Sequence, residues 1–283
     1  MNDSDVNLRD WIGRERVQHD QITAAPLAGL SSTLDRDDPA PQLGDVLPAC
    51  WHWLFFLPRI RTDALAADGH AIQGGFMPPT GLPRRMWAGS RVTFAHAPRV
   101  GDEVQRVSRI ADVTEKHGAS GRLVFVTVHH EIHTPRGLAI EEAQDLVYRE
   151  VPKAKGGASP VSPDVPEAMF SRVIRPDPVL LFRYSALTFN SHRIHYDRPY
   201  VTNVEGYPGL LVHGPLIATL LLDLLRRETG DATVSSFTFK AQRPLFDTAA
   251  FSIHGRAEST THFSLWALDA DGQRAVQASA TIA

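Results

Sequence analysis

One segment of the sequence is apolar nearly all the way round, and this limits how the chain can fold. Leucine, isoleucine and alanine fill most positions from Leu216 to Leu225. Pro215 suits the first turn of a helix and Gly230 suits its end, so we predict a helix that begins beside His213-Gly214. A helix without a polar face cannot lie on a surface, so other elements must wrap it. A curved antiparallel sheet supplied by residues 236–283 meets this requirement.

The chain divides into two parts at a segment that has the composition of a linker. Residues 152–166 read PKAKGGASPVSPDVP, which is rich in Pro, Gly, Ser and Lys and has no apolar period. We therefore predict an N-terminal unit at 1–151, a linker at 152–168 and a C-terminal unit at 169–283. The length of 283 residues supports two units of this size.

The two parts repeat the same order of features. In each, an apolar segment (47–56 and 209–218) precedes a strand-like run that ends in a proline, Pro98 in the first part and Pro244 in the second. These prolines are 146 positions apart, and alternating β-rich runs follow both of them. Because all these parallels occur in the same order, we predict a duplicated α+β unit.

Composition and charge exclude several classes of protein. The net charge of −3 gives no electrostatic reason to expect a nucleic acid or a membrane surface as partner. The polar, acidic N-terminus has no apolar stretch behind it that would form a signal peptide. The single cysteine, Cys50, cannot form an internal disulfide, and its apolar neighbours favour a buried structural thiol over a nucleophile. We predict a soluble, cytoplasmic protein.

Residues suited to proton chemistry crowd one turn of the C-terminal part. Asn190, His192, His195 and Asp197 lie between a β-like lead-in at 181–189 and the predicted helix. The first turn of that helix offers unpaired N–H groups and a positive dipole end to a developing anion. A histidine beside such groups suits chemistry next to a carbonyl. Two alternatives stay open: the histidines cap a turn and pack against the helix, or His192 and His195 bind a metal.

A second group of histidines, His129, His130 and His133, lies in a strand-like run. Further Cys, His or carboxylate ligands at the spacing of a metal site are not evident in the sequence around it. We therefore predict a surface or interface role for this group.

The histidine turn and the helix start resemble the motif of a known enzyme family. Residues 189–195, Phe-Asn-Ser-His-Arg-Ile-His, are followed by Val-His-Gly-Pro at 212–215. They resemble the motif G-D-x-N-P-[LIV]-H and the helix-start His-Gly of MaoC-like, type 2 enoyl-CoA hydratases. The whole chain is similar to bacterial itaconyl-CoA and mesaconyl-C4-CoA hydratases. Supporting stretches lie at 51–58, 83–89, 144–150 and 182–188.

This resemblance implies a fold as well as an activity. The fold is a double hotdog of class α+β: two tandem hotdog units, each a curved antiparallel sheet around a central helix. The turn of the N-terminal part that corresponds to the histidine turn has Asp35, Asp37 and Asp38 but no histidine. We therefore expect a degenerate N-terminal unit that shapes the acyl pocket, and one active site per chain.

Matched position by position, the resemblance assigns His195 as the catalytic histidine and the Gly214 N–H as the donor to the thioester oxygen. Asn190 stands where the family has its catalytic aspartate, and His192 stands where it has asparagine. A carboxamide orients a water molecule but does not exchange a proton with it at neutral pH. We therefore expect His195 to carry the acid–base work, with Asn190 positioning water or substrate and Asp197 as an alternative carboxylate.

Seven side chains are expected to contact the substrate: three with aromatic rings and four arginines. The first three are His192, His213 and Tyr184. The cations are Arg183 and Arg243, for CoA phosphates or a substrate carboxylate, and Arg84 and Arg85, for the far end of a dicarboxylic acyl group. Ordinary surface positions are the alternative for the arginines.

The implied reaction is the reversible addition of water to the double bond of an enoyl-CoA. A short dicarboxylic acyl group is the first expectation, and a fatty acyl chain is the second. No cofactor or metal is expected beyond the CoA of the substrate, and a homodimer is compatible with the fold. Two other functions stay open: a hotdog acyl-CoA thioesterase, and a non-catalytic protein that binds acyl-CoA or an acyl carrier.

Overall fold

An antiparallel sheet of ten strands dominates the described part of the protein. The computed structural model describes residues 6–118, 121–150, 165–230 and 232–283. The strands are β1 (Glu15–Gln21), β2 (Arg84–Phe94), β3 (Glu103–Gly118), β4 (Gly121–Thr134), β5 (Gly137–Arg149), β6 (Phe170–Ile174), β7 (Val234–Ala241), β8 (Phe251–Ala257), β9 (His262–Leu268) and β10 (Arg274–Ile282). The helices that accompany them are α1 (Ala24–Thr33), α2 (Pro178–Leu187), α3 (Arg198–Asn203) and α4 (Gly214–Thr229).

The order of the strands shows the two repeated units. Across the sheet the order is β1-β3-β4-β5-β2-β7-β10-β9-β8-β6. Five strands come from residues 15–149 and five from residues 170–282, and both sets have the same order when counted from the β2–β7 junction outward. The predictions of a duplicated α+β unit and of a double hotdog are confirmed.

The register of the β2–β7 pair places a pseudo-twofold axis at the middle of the sheet. With the predicted offset of 146 positions, Arg91 corresponds to Phe237 and Val92 to Thr238. The strands pair Arg91 with Thr238 and Val92 with Phe237, so each residue faces the counterpart of its neighbour. A twofold axis requires this pairing, because it brings the same surface of both partners together.

Helix α4 is wrapped by the sheet, as predicted. It begins at Gly214 with His213 as its N-cap residue, and the residues from Leu216 to Leu225 are buried. It packs against strands of its own unit, β8, β9, β10 and β6, and also against β2 of the other unit. The start of the helix therefore lies close to the junction between the units.

Ion pairs tie the other end of α4 to both units. The buried carboxylate of Asp223 lies 2.7 Å from Arg36, 3.2 Å from Arg172 and 2.9 Å from Arg227. A buried carboxylate left without such partners would be strongly destabilising. These contacts therefore hold the C-terminal end of the helix against the N-terminal unit.

The N-terminal unit differs from the expected fold at its centre. The apolar segment 47–56, which corresponds to the start of α4, forms only a 3₁₀ turn at Trp51–Leu54. Left-handed backbone at Cys50 (φ 63°) and at Phe56 (φ 55°) bounds this turn. The expectation of a central helix in each unit is therefore corrected: within the described residues, only the C-terminal unit has one. The inner face of the N-terminal strands is left partly uncovered.

The lead-in to the histidine turn is helical, and the prediction of a β-like segment there is wrong. Helix α2 spans Pro178–Leu187, and Asp177 caps it by accepting a backbone N–H of its first turn at 2.9 Å. Leu181, Tyr184 and Ser185 are buried together, which is the spacing of one helix face. The strand preference of the aromatic residues in this segment is outweighed by the cap and the buried face.

Three further sequence predictions concern single features. Cys50 is buried, as predicted. The predicted linker at 152–168 lies mostly outside the described residues, so the boundaries of the two units stay predictions. Within the described residues, none of the helices has the length and apolar character needed to cross a membrane.

Gly89 permits the close approach of the two units, and its substitution tests the junction. It follows a bulge in β2, and a Cβ atom there would lie 2.3 Å from the carbonyl oxygen of Phe239 on β7. We expect Gly89→Ala to lower the free energy of unfolding by more than about 2 kcal/mol, because backbone must shift at the junction. Urea denaturation measures the change. Gly118→Ala in β3 is the control, since a Cβ there meets nothing within 4 Å; equal losses in both variants would contradict the prediction.

Candidate active site

A cavity of about 700 Å³ lies between the two units. The C-terminal unit lines it with the histidine turn and with His213 and Gly214 at the start of α4. The N-terminal unit lines it with side chains of β1, β2, β3, β4 and β5. The fold therefore brings the predicted catalytic turn and the predicted helix start together in one cavity.

His195 is a neutral base in this cavity. It ends a 3₁₀ turn, Arg193–His195, and is 7% exposed. Its Nδ1 donates a hydrogen bond to the carbonyl oxygen of Leu211 at 2.8 Å, which leaves Nε2 as an acceptor. Burial lowers the pKa of His195 to about 4. At neutral pH the imidazole is therefore ready to accept a proton.

Four imidazole rings, here called the histidine row, run through the site. The ring centroids of His70 and His192 are 3.9 Å apart, those of His192 and His195 are 5.4 Å apart, and those of His195 and His213 are 3.7 Å apart. Burial lowers the pKa of each of these histidines. For His192 and His213, a neighbouring imidazole lowers the pKa further. The row is therefore neutral until a reaction brings a proton to it.

Asn190 and Gly214 lie where water and a developing anion are expected. The Asn190 Oδ1 accepts the backbone N–H of His192 at 3.1 Å, so its Nδ2 is the group left to donate. Gly214 is in the first turn of α4, where backbone N–H groups have no partner inside the helix. A Cβ atom at Gly214 would meet its nearest protein atom, the carbonyl oxygen of Trp87, at 3.6 Å. A ligand can therefore approach this backbone closely.

A loop of the N-terminal unit, residues 66–70, completes the site, and sequence reasoning missed it. The carbonyl oxygen of Gly69 accepts the Ser191 hydroxyl at 2.6 Å, and that of Asp68 accepts the Arg193 N–H at 2.9 Å. Gly69 has a φ of +90°, and a Cβ atom there would lie 1.9 Å from the Ser191 carbonyl oxygen. Only glycine therefore permits the loop to lie on the histidine turn.

This loop brings a carboxylate to the histidine row. The Asp68 Oδ2 lies 2.8 Å from Nδ1 of His70 and 4.0 Å from Nε2 of His192. The ligand atoms of these three residues lie within 4.8 Å of one another, as those of a metal site would. The nearby charge of Arg85 acts on all three and opposes a second cation there. His195, the partner of His192 in the alternative of a metal site, is not part of this group.

Asp197 has a structural role away from the cavity lining. It caps α3 by accepting the Tyr200 N–H at 3.0 Å, and it lies 2.8 Å from the guanidinium of Arg193. Both of its oxygens are thus engaged, and its position does not support the alternative that it replaces the aspartate of the family motif. The carboxylate that contacts the histidine row is Asp68.

The four predicted arginines lie in different surroundings. Arg85 and Arg243 line the cavity. Arg84 is buried in an ion pair with Glu205 at 3.1 Å, and Arg183 is exposed on α2. Neither Arg84 nor Arg183 is among the residues that line the cavity. Arg85 and Arg243 therefore stay candidates for substrate contact. Arg84 instead forms a structural ion pair with Glu205.

Two buried side chains line the cavity from opposite units. Tyr184 on α2 lies edge-on to His213, with ring centroids 5.0 Å apart, and its contact with substrate stays a prediction. His130 on β4 is 8% exposed, so the surface position that was one part of its predicted surface or interface role is wrong for this residue. Alternation along the strand puts His129 and His133 on the other face, where both are partly exposed.

Comparison with known proteins agrees with this arrangement. The chain matches the family model of hydroxyacyl-thioester dehydratase type 2 over residues 50–247. A mesaconyl-C4-CoA hydratase of Chloroflexus aurantiacus is 46% identical over 276 residues, which cover 97% of this chain and 98% of that protein. The crystal structure of HtdX from Mycobacterium tuberculosis has a TM-score of 0.69 at 18% identity and covers 94% of this chain and 98% of its own. Another protein of that organism, described as a double hotdog, has a TM-score of 0.57 at 14% identity, with 96% of both chains covered.

The strand order and the solved structures define the protein as a double hotdog. The family model and the relative with 46% identity go further: the chain belongs to the hydroxyacyl-thioester dehydratase type 2 family. The family's reaction removes or adds water, so the protein is a hydro-lyase. The resemblance drawn from the histidine turn and the helix start is confirmed.

Proposed function

We propose that this protein catalyses the reversible hydration of an enoyl-CoA that carries a short dicarboxylic acyl group, such as mesaconyl-C4-CoA or itaconyl-CoA. One observation supports this above the others. His195, whose Nε2 is an acceptor, and Gly214, whose backbone N–H is in the first turn of α4, line the same cavity. The name of the relative with 46% identity, a mesaconyl-C4-CoA hydratase, supports the choice of acyl group.

In the proposed step, Nε2 of His195 takes one proton from water while the water oxygen bonds to the β-carbon. The negative charge that builds on the thioester oxygen is stabilised by the Gly214 N–H at the positive end of α4. The imidazolium of His195 then gives that proton to the α-carbon, which completes the addition. A group with a pKa near 4 releases its proton readily. Asn190 orients the water, and the step needs no cofactor beyond the CoA of the substrate.

The Asp68–His70 pair supports this transfer through its charge. When His195 takes a proton, positive charge enters a row of buried neutral imidazoles. The carboxylate of Asp68, which lies 2.8 Å from His70 and 4.0 Å from His192, partly offsets that charge. In this proposal Asp68 compensates for the aspartate that Asn190 replaces, without itself touching the substrate.

Arg85 is the proposed partner of the free carboxylate of a short acyl group. It lines the cavity on β2, the strand whose Trp87 carbonyl oxygen lies beside Gly214. Its charge reaches His70 and His192, so a carboxylate beside it lies near the reacting carbons. Arg243, in the turn after β7, suits a CoA phosphate.

Hydration assays with matched variants test the proposed function. We expect the protein to consume the enoyl absorbance of mesaconyl-C4-CoA without releasing free thiol. His195→Ala should lower kcat by about 10²- to 10⁴-fold, the usual contribution of a general base. His129→Ala, on the outer face of β4, is the control. Unchanged hydration by His195→Ala would disprove its catalytic role. Thiol release without hydration would indicate a thioesterase, and binding without either reaction would indicate a non-catalytic acyl-CoA protein.

The pH dependence of kcat/KM tests the state of His195. Its neutral form is the active base and burial lowers its pKa to about 4, so activity should be full above this value. Below pH 4 it should fall about tenfold per pH unit as the imidazole becomes protonated. Circular dichroism at each pH separates this loss from unfolding. An acid limb near pH 6.5 would instead indicate a solvated imidazole.

Substitution of Arg85 tests the dicarboxylic substrate class. Removing one partner of a buried charge pair between protein and substrate lowers the binding affinity by about 30-fold or more. We therefore expect Arg85→Met to lower kcat/KM by this factor for mesaconyl-C4-CoA and by only a few-fold for crotonyl-CoA, which has no free carboxylate. Arg183→Met, exposed on α2, is the charge-matched control. Equal losses on both substrates would contradict the assignment of Arg85.

A further inference from the structure

The inner face of the N-terminal sheet carries a row of polar residues where a hotdog unit ordinarily buries apolar ones. Arg16, Ser108, His130 and Glu142 are direct neighbours across β1, β3, β4 and β5. Ser108, His130 and Glu142 are buried, and Arg16, His130 and Glu142 line the cavity. Within the row, His130 Nδ1 lies 2.8 Å from Ser108 Oγ, so these two groups are already hydrogen-bonded to each other. A fatty acyl tail placed here would still displace water from the charged Arg16 without replacing its hydrogen bonds, which is costly, so the position favours a polar occupant.

Within this row the carboxylate of Glu142 is already satisfied. It accepts Ser90 Oγ at 2.7 Å and Trp53 Nε1 at 3.1 Å, and His52 Nε2 lies 3.1 Å away. Burial alone would raise the pKa of Glu142, but these hydrogen bonds, His52 foremost, lower it to about 2. Glu142 therefore stays ionised, and its role is to hold the Trp51–Leu54 turn against the sheet.

Arg106 has no comparable carboxylate partner. It is two residues from Ser108 on β3 and lines the same cavity. Its Nη2 donates to two neutral acceptors, Gln18 Oε1 at 2.7 Å and the carbonyl oxygen of Phe56 at 3.2 Å, and its Nε is buried without a partner among the described residues. Burial lowers the pKa of Arg106 to about 10, so the guanidinium is still charged at neutral pH.

One cation, Arg16, and two carboxylates act on the charge of Arg106. Arg16 is close enough to repel it and lies over the ring of Phe76. The two acids whose charge reaches Arg106 are engaged elsewhere: Glu142 as described, and Asp20 with the Phe56 N–H at 2.7 Å and with Arg59 at 3.8 Å. Arg106 and the more exposed Arg16 thus line the cavity without an ion-pair partner among the described residues, an arrangement that an anionic ligand would complete.

We propose that Arg106, with Arg16 beside it, binds the terminal carboxylate of acyl chains longer than the short dicarboxylic group assigned to Arg85. The distance supports this division. Arg106 on β3 is three strands from β2, or roughly 14 Å across the sheet at the usual strand spacing, and its row meets β2 at Phe94, nine residues from Arg85. A short dicarboxylic group keeps its carboxylate within a few bonds of the thioester. The inference rests on the proposed hydration, and it adds ω-carboxy enoyl-CoAs of medium length as a further substrate class.

The test compares ω-carboxy and plain 2-enoyl-CoAs of six, eight and ten carbons. The wild-type protein should prefer the ω-carboxy form at one of these lengths. Arg106→Met should lower kcat/KM for that substrate by about 30-fold or more, and by only a few-fold for the plain chain of equal length. Arg106→Lys keeps the charge and should retain part of the preference. Arg109→Met, which makes the same charge change at an exposed site of β3, is the control.

Three results would overturn this inference. The first is a loss of kcat/KM in Arg106→Met on ω-carboxy chains that is no greater than the loss in Arg109→Met, or that is equal on ω-carboxy and plain chains. The second is a loss that disappears when pantetheine thioesters replace CoA thioesters, which would mean that Arg106 binds a CoA phosphate. The third comes from calorimetric binding of saturated acyl-CoAs, if wild type and Arg106→Met bind the ω-carboxy form equally. The binding measurement needs no turnover, so it separates failure of this subsite from failure of the proposed hydration.

Discussion

Helix α4 has no polar face, and its burial sets the arrangement of everything around it. The strands of the C-terminal unit surround it, and β2 of the N-terminal unit closes the remaining side. Only one unit contains such a helix in the described chain. The other has longer strands, 16, 14 and 13 residues in β3, β4 and β5 against 7, 7 and 9 in β8, β9 and β10. It has a one-turn helix at its centre, and the cavity occupies the space left there.

Because the two units differ in this way, each supplies different residues to the site. The C-terminal unit supplies the neutral base His195 and the helix start at Gly214, and both depend on the position of α4. The N-terminal unit supplies the loop with Asp68 and His70 and three arginines that line the cavity, Arg16, Arg85 and Arg106. Burial keeps the histidine row neutral, so in the proposed function arginines, and not the histidines, meet the charges on the substrate.

Several features were predictable because each rests on local chemistry. The limits of α4 follow from Pro215, Gly230 and a run between them that is mostly apolar. The offset of 146 positions between the repeats agrees with the twofold register of β2 and β7. The errors also have local causes. The aromatic residues in 181–189 are typical of a strand, but the cap at Asp177 and the buried face make this segment a helix. The apolar segment 47–56 does not indicate by its sequence that it forms only one turn.

The sequence by itself determined the order of elements, the buried helix and the identity of the turn that carries His195, because these depend on residues close together in the chain. The tertiary structure decided which distant residues join that turn. Gly69 meets Ser191 across 122 positions, and the polar row is assembled by the register of four strands. Asn190 had raised the question of where a carboxylate would come from. Asp68, and not Asp197, lies beside the histidine row because a loop of one unit packs on the turn of the other, and no local pattern in the sequence records that contact.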